Sequence, residues 1–334
     1  MMIDKIRVGV LMGGVSSERQ VSLKSGKAVL EAFKFLKIEA VPVDIQKENR
    51  QYVKDLLLSY DLGLAFLALH GSFGEDGKIQ AILEDLGLAY TGSGPQASSL
   101  AMDKLASRKV FEENGLNVPR YLVLDKFHKR LSPHLSFPLV VKPVCGGSSI
   151  GLSIVDNPKE LRLAVDLAFK YDRKVMVEEY VEGREMTVGI LENMPLEAIE
   201  IKTQRRFFDY RAKYEDGQTE YVVPAQAPLE ITRLLKSQAV KAHSLLGCFF
   251  FSRVDIILSR QDRPFILEVN TIPGFTASSL LPKAALQKGI SFPELILKIA
   301  YSAWVSRGRS SGIAPLASAR GVKSDSKIVC AQNA

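Results

Sequence analysis

Cysteine is scarce in this chain. Cys145, Cys248 and Cys330 are the only three in 334 residues, and they form no CxxC pair. That excludes a disulfide framework and a cysteine-built zinc site, and it fits a reducing compartment. Long apolar runs are missing too. None approaches the roughly 18 residues that a membrane span needs, so no membrane span is expected. The start, MMIDKIRVGVLMGG, enters a strand directly and lacks the apolar core of a signal peptide. A cytoplasmic location is therefore expected. A Walker phosphate loop, GxxxxGK[ST], does not occur, and no internal repeat is visible.

Basic charge is unevenly spread. The formal net charge is +7. Most of it lies from Ser306 onward, where Arg307, Arg309, Arg320, Lys323 and Lys327 face Asp325 alone. This stretch, residues 306–334, is rich in Ser, Gly and Ala without apolar periodicity and reads as a disordered, solvated tail. No nucleic-acid partner is expected. The body of the chain is different. It is 46% apolar and 24% charged overall, the balance of a soluble globular protein. Its length suggests two or three lobes of about 100–150 residues.

The pattern alternates strands and helices at first. Ile6 to Gly14 is a buried strand running into glycines, and SERQ at Ser17–Gln20 fits a capping box. Two further strands (IEAVPVDI and LGLAFLALHG) and the helix GKIQAILEDLG follow. That order predicts a parallel α/β lobe over 1–95. A helical signal resumes at Gln96 and runs to a C-cap at Gly115. FPLVVKP and LSIV then flank the glycine loop CGGSSIG as a hairpin, and NPKELRLAVDLAFKY is an amphipathic helix. KVMVEEYV and EGREMTVGIL are strands, giving a small central lobe over 96–188 with an antiparallel sheet. The third lobe, 189–305, contains LEAIEI, the helix ITRLLKSQAVKAHSLLG, two strands (FSRVDIILS and PFILEVN) and two closing helices.

Chemistry concentrates in three places. In a strand, residues i and i+2 share a face, so Glu268 and Asn270 project together, as do Arg253 and Asp255. The turn between these strands is short, so the four groups converge on pairing. Two carboxylates and an amide oxygen are hard donors that suit Mg²⁺, and Arg253 beside them suits an oxyanion. The glycine loop, with Gly147, Ser148 and Ser149, follows Lys142 and can bring backbone amides to a phosphate. Glu178 and Glu179 are adjacent acids at a strand end, open to two readings: contacts to a nucleoside, or simple solvation. His70 before a glycine-rich loop is more often structural than catalytic, and Lys104 near a helix start is more often solvated.

GGVSSERQVSL, LALHGSFGEDGKIQ, YTGSG, MDK, VVKPVCGGSSIG, FDYRAKY, SRVDIIL and LEVNTIPGFTASSLLP occur in that order. Together they resemble the ATP-grasp superfamily and, within it, the D-alanine–D-alanine ligase family, over about Ile6 to Val305. The resemblance implies an ATP-grasp fold and joining of two D-alanines through an acyl phosphate, for peptidoglycan precursors. It implies ATP and two Mg²⁺ ions (Mn²⁺ able to substitute) and a homodimer. By resemblance, Glu18 holds the first substrate's ammonium, with Ser148 and Tyr214 bonded to it and His70 nearby. Lys104, Lys142, Gly147, Ser148, Ser149 and Lys213 contact the phosphates. Glu178, Glu179, Val181 and Glu185 line the adenosine pocket, and Asp255, Glu268 and Asn270 hold the metals. Arg253 and the Gly274 amide stabilise the oxyanion, Ser279 and Leu280 meet the second substrate, and Arg205–Glu220 forms a lid. Tyr214 goes with D-alanine rather than D-lactate as second substrate. The alternatives are a ligase of the same fold using D-serine or D-lactate and a non-catalytic nucleotide-binding regulator. The chain departs from the family pattern at Cys145-Gly146, where many members carry charged or polar residues, and at Ser278, where many carry histidine.

Overall fold

The computed structural model describes residues 6–125, 135–147, 150–203 and 219–307. Its first layer is the expected parallel sheet. β1 (Val8–Gly13), β2 (Ala40–Ile45), β3 (Leu64–Leu67) and β4 (Ala89–Tyr90) lie in the order β2-β1-β3-β4. β1 is buried along its whole length, as a strand covered on both faces must be. α1 (Arg19–Phe35) packs on it through Val21, Val29, Ala32 and Phe33. The capping box does not form. Glu18, not Ser17, takes the N-cap position and makes no side-chain cap bond. The start of α1 is instead anchored by Arg19, whose Nη1 and Nη2 donate to Asp44 at 2.8 and 2.7 Å, while Nη1 also reaches the carbonyls of Gly14 and Ile45. α2 (Arg50–Leu58) was not legible as a helix. Only Val53 and Leu57 are fully buried, too short an apolar stripe to stand out. α3 (Lys78–Asp85) lies where the pattern puts it.

The helical signal from 96 to 115 resolves into two helices, α4 (Pro95–Met102) and α5 (Lys104–Glu113). Asp103 breaks them. Its backbone is extended, and its carboxylate accepts from the amides of Leu105 and Ala106 at 2.9 and 3.0 Å, capping α5. Lys104, the first residue of α5, donates its amide to the Val144 carbonyl at 3.3 Å. The helix start is thereby tied to the glycine-loop hairpin.

The second sheet, in the order β5-β8-β6-β7, is antiparallel throughout. It contains β5 (Tyr121–Asp125), β6 (Leu139–Pro143), β7 (Ser153–Val155) and β8 (Lys174–Glu179). β6 and β7 form the expected hairpin, and α6 (Pro158–Ala168) covers one face behind an Asn157 cap. The third sheet holds β9 (Gly183–Leu191), β10 (Met194–Lys202), β11 (Glu220–Val222), β12 (Phe251–Ser259) and β13 (Pro264–Asn270) in the order β11-β10-β9-β12-β13. The expected lobe limit at residue 188 thus falls inside β9, the central strand of this sheet. α4, α5 and α7 (Leu229–Leu245) share an apolar core with it, including Ala101, Phe111, Leu235 and Val254.

After α8 (Leu280–Gln287), the closing helix α9 (Phe292–Arg307) leaves the third sheet. It packs on α1, β3 and β4 through residues such as Leu295, Ile299 and Ala303. The chain's last described helix therefore completes the core of its first lobe. No helix among the described residues is long and apolar enough to cross a membrane.

Candidate functional site

Two cavities of about 270 and 450 Å³ meet where the three sheets converge, and both are lined by Lys104, Gly146, Gly147 and Glu268. The first lies between the parallel lobe and the third sheet. Glu18 enters it from the start of α1 and is 7% exposed. Its Oε2 is closely flanked by two glycines from different lobes. A Cβ on either Gly71 or Gly147 would stand 2.7 Å from that oxygen, so neither position tolerates a side chain while Glu18 stays in place.

Beneath Glu18 runs a buried polar chain. His70 contacts Ser25 Oγ at 3.0 Å through Nε2 and Glu75 Oε1 at 3.3 Å through Nδ1. Ser25 Oγ also accepts the Phe275 amide at 3.3 Å. Burial pushes the Glu75 carboxyl pKa up, opposed by His70. His70 is thus contacted at both ring nitrogens, and it also lines the cavity.

The opposite wall is β12–β13. Arg253 pairs directly with Asn270, and Asp255 with Glu268, so the four groups converge as their spacing implied. A bulge between Asp255 and Ile256 leaves Leu267 as the extra residue. Leu267 and Glu268, though adjacent, therefore both line the second cavity. Arg253 grips Asp255 with Nε and Nη2 at 2.9 and 2.7 Å, and Thr187 Oγ1 donates to the same carboxylate at 2.7 Å. Lys104, 8% exposed rather than solvated, sits 3.3 Å from Glu268 Oε2 and donates to the Gly146 carbonyl at 2.5 Å. Beyond β13, a Cβ on Gly274 would come within 2.8 Å of Ser279 Oγ. Ser279 stands at the N-cap of α8 and bonds with Thr276, with Ser278 alongside. Gly274, Ser278, Ser279 and Leu280 all line the first cavity.

The second cavity lies between the second and third sheets. Val140, Ile150, Leu152, Ile154, Ile257 and Leu267 give it apolar walls, and Lys142, Glu178, Glu179, Val181 and Glu185 supply polar groups and backbone. Lys142 is not an isolated point charge. Its Nζ donates to Glu178 Oε1 at 2.7 Å, and Arg108 Nη1 lies 2.5 Å from Glu178 Oε2. The two adjacent acids part company here. Glu178 is buried in this triad, whereas Glu179 pairs with exposed Arg120 at 2.7 Å. Alternation along β8 sends them to opposite faces. Cys145 is exposed and its amide donates to Asp172.

The oxygen donors fit a divalent cation. Among the described residues no three His, Cys, Asp or Glu side chains gather at metal-holding distance. The set here is smaller: two carboxylates directly opposite each other on paired strands, and the Asn270 amide. Arg253 and Lys104 offset part of that negative charge, and a small, water-rich cation such as Mg²⁺ needs only a few such oxygens.

Ser148, Ser149, Lys213 and Tyr214 lie outside the described residues, as do 205–218 of the expected lid and 308–334 of the tail. Arg108, Glu75, Ser25, Thr187 and Tyr221 were not anticipated. Glu75 lies within the LALHGSFGEDG motif, and Arg108 stands one helical turn after Lys104, so position offered a signal for those two.

A parallel α/β lobe, two antiparallel sheets and a lysine-bearing cleft floored by carboxylates define an ATP-grasp enzyme. The family models described as D-ala D-ala ligase N-terminus and C-terminus match residues 7–61 and 110–300. The chain is 43% identical over 310 residues to the D-alanine–D-alanine ligase of Geobacter sulfurreducens, covering 92% of this chain and 97% of that one. It is 44% identical over 301 residues to that of Citrifermentans bemidjiense, covering 90% and 97%. The Bacillus anthracis D-alanine–D-alanine ligase complexed with ATP superposes with a TM-score of 0.80 at 33% identity, covering 92% and 100%. The VanG D-Ala:D-Ser ligase of Enterococcus faecalis gives 0.77 at 30%, covering 89% and 99%. The chain belongs to the D-alanine–D-alanine ligase family.

Proposed function

We propose that this enzyme joins two D-alanines with ATP, forming D-alanyl-D-alanine, ADP and phosphate for peptidoglycan precursors. The observation that carries the reading is the junction of the two cavities at Lys104 and Glu268. A polar amino-acid-sized chamber there adjoins an apolar, lysine-bearing cleft. In this reading, the first D-alanine places its ammonium on Glu18. Its carboxylate lies at the junction and attacks the γ-phosphorus of ATP, with ADP as leaving group. Lys104 and Lys142 offset phosphate charge, and ATP's base rests between the apolar walls near Glu179, Val181 and Glu185. The amino group of the second D-alanine attacks the acyl-phosphate carbonyl, losing a proton, and the tetrahedral oxyanion collapses by expelling phosphate. Arg253 and the Gly274 amide meet that oxyanion, and loss of one such donor costs about 2.7–4 kcal/mol of barrier. Ser279 and Leu280 hold the second substrate.

Asp255, Glu268 and Asn270 would hold Mg²⁺, or Mn²⁺, which when bound neutralises charge on the transferring phosphoryl group. The Thr187 and Arg253 bonds orient Asp255 for that task. Gly147, Ser148, Ser149 and Lys213 are assigned to the phosphates, and Tyr214 to Glu18. The lobes we propose are those expected, with the limit moved to the β8–β9 connection. The enzyme is taken to act in the cytoplasm as a homodimer.

D-alanine is favoured over D-serine as second substrate by the higher identity to ligases named for D-alanine. The test is phosphate release from ATP and Mg²⁺ with D-alanine, D-serine or D-lactate. Release with D-alanine is expected, and its absence would sink the proposal.

A further inference from the structure

Arg108 is the largest side chain in the described residues that is wholly buried, at 0% exposure. An arginine stays charged wherever it is placed, so this is a fixed cation inside the protein. It lies one turn along α5 from Lys104 and does not line either cavity. Its Nη1 is 2.5 Å from Glu178 Oε2, and its Cζ is 5.7 Å from the Tyr121 ring centroid. Nη1 also contacts the Pro119 carbonyl at 3.4 Å. Its Nε and Nη2 are buried with no hydrogen-bond partner among the described residues. The other oxygen of Glu178 takes Lys142 Nζ at 2.7 Å. Two buried cations therefore share one carboxylate. A surplus buried charge is costly unless something of opposite sign completes it. Lys142, Glu178 and Pro119 all line the second cavity, so an anion bound there supplies the missing charge.

We propose that Arg108 is a positioning residue for nucleotide binding: by holding Glu178 Oε2 it prevents that carboxylate from neutralising Lys142 alone, so the Lys142 ammonium retains a net demand for phosphate. The inference rests on the reading of the second cavity as the ATP site. Arg108 acts through its neighbours and does not touch the nucleotide.

The electrostatics agree. Burial lowers the Lys142 pKa to about 8, Glu178 opposes this, and the charges of Arg108 and Lys104 lower it further. These are the charged groups facing Lys142 from β8 and α5. α6 presents Leu161, Ala164 and Val165 to the sheet, and β7 carries no charge. A Lys142 pKa near 8 means that the free enzyme loses this ammonium as pH rises through that value, and ATP affinity falls with it. Removing Arg108 raises the Lys142 pKa and leaves Glu178 to pair with it alone. Affinity at neutral pH then drops, while the falling limb moves to higher pH.

The test is ATP binding in the presence of Mg²⁺, by calorimetry from pH 6.5 to 9.5, for wild type, R108M, R108Q and R108K. R108M is expected to lose at least about tenfold in affinity at pH 7, with its alkaline limb displaced by about half a unit or more. KM for ATP rises in parallel while KM for D-alanine stays within about twofold, and R108K regains most of the affinity. R108Q, neutral but able to hydrogen-bond, gives the same comparison when R108M does not fold. A folded neutral variant with wild-type affinity and an unmoved limb overturns the proposal, as does equal loss for both substrates. Wild type that binds no ATP would overturn the reading of the cavity itself, and this inference with it.

Discussion

Gly147 belongs to the glycine loop, yet the closest neighbour a side chain there would meet is Glu18 in the first cavity. A Cβ at this position would lie 2.7 Å from Glu18 Oε2 and 3.5 Å from Glu18 Cδ. Ordinary contact begins near 3.4 Å, so in Gly147→Ala the carboxylate must retreat by about 0.7 Å. On another side the space next to Gly71, where a Cβ would also stand 2.7 Å from Glu18 Oε2, is left open only because that residue is glycine. A displacement of ~1 Å in a positioned group can cost about 100-fold in rate. The expected loss is therefore roughly 10–100-fold in kcat/KM for the first D-alanine, or about 1.4–2.7 kcal/mol. KM for ATP should change less than about threefold, because the new methyl points at Glu18 rather than at Lys142. Steady-state kinetics with each substrate varied in turn would measure the split. A variant whose defect falls on ATP, or one with wild-type D-alanine kinetics, would refute the reasoning.

His243 should make stability depend on acid. It is buried at 1% exposure, contacts Ser252 Oγ at 2.7 Å and Asn193 Oδ1 at 3.1 Å, and burial lowers its pKa from 6.5 to about 4. The unfolded chain therefore binds the extra proton first. The neutral ring's contribution is complete above pH 6.5 and is lost as pH falls toward 4, by about 3 kcal/mol. Urea unfolding at pH 7 and pH 4.5 should show roughly 2 kcal/mol of this loss in wild type and much less of it in His243→Gln; equal losses in both would contradict it. Glu268→Gln and Asn270→Ala should nearly abolish turnover and remove the advantage of Mg²⁺ over its absence in ATP binding. Full activity in either variant would refute the metal assignment.

Much of the site was legible because strand periodicity is a local property. Glu268 and Asn270 two apart, with Arg253 and Asp255 two apart across a short turn, announced a shared polar face, and the strands pair in that register. The glycine hairpin after Lys142 was equally readable. Capping was not. SERQ satisfies the capping pattern, but α1 starts one residue later, at an N-cap Glu18 turned into the first cavity, and Arg19 ties the helix start to β2. Those long-range bonds outcompete a local one. Alternation along a strand already sends Glu178 and Glu179 to opposite sides, but that Glu178 meets Lys142 and Arg108 while Glu179 meets Arg120 is decided only across the fold.

Local pattern, then, was enough to establish the strand and helix alternation, the polar face of β13 and the β6–β7 hairpin around the glycine loop. Each depends on residues within a few positions of one another. Three things required distant segments to meet. The bulge at Leu267 places two adjacent side chains in one cavity, and its register is set by β12. α9 closes the core of the first lobe, because an apolar helix face does not specify which sheet it will cover. Arg108 acquires its meaning from Glu178 on another sheet. Periodicity marks which side of an element is buried, whereas the identity of what lies against it comes from packing the whole chain at once.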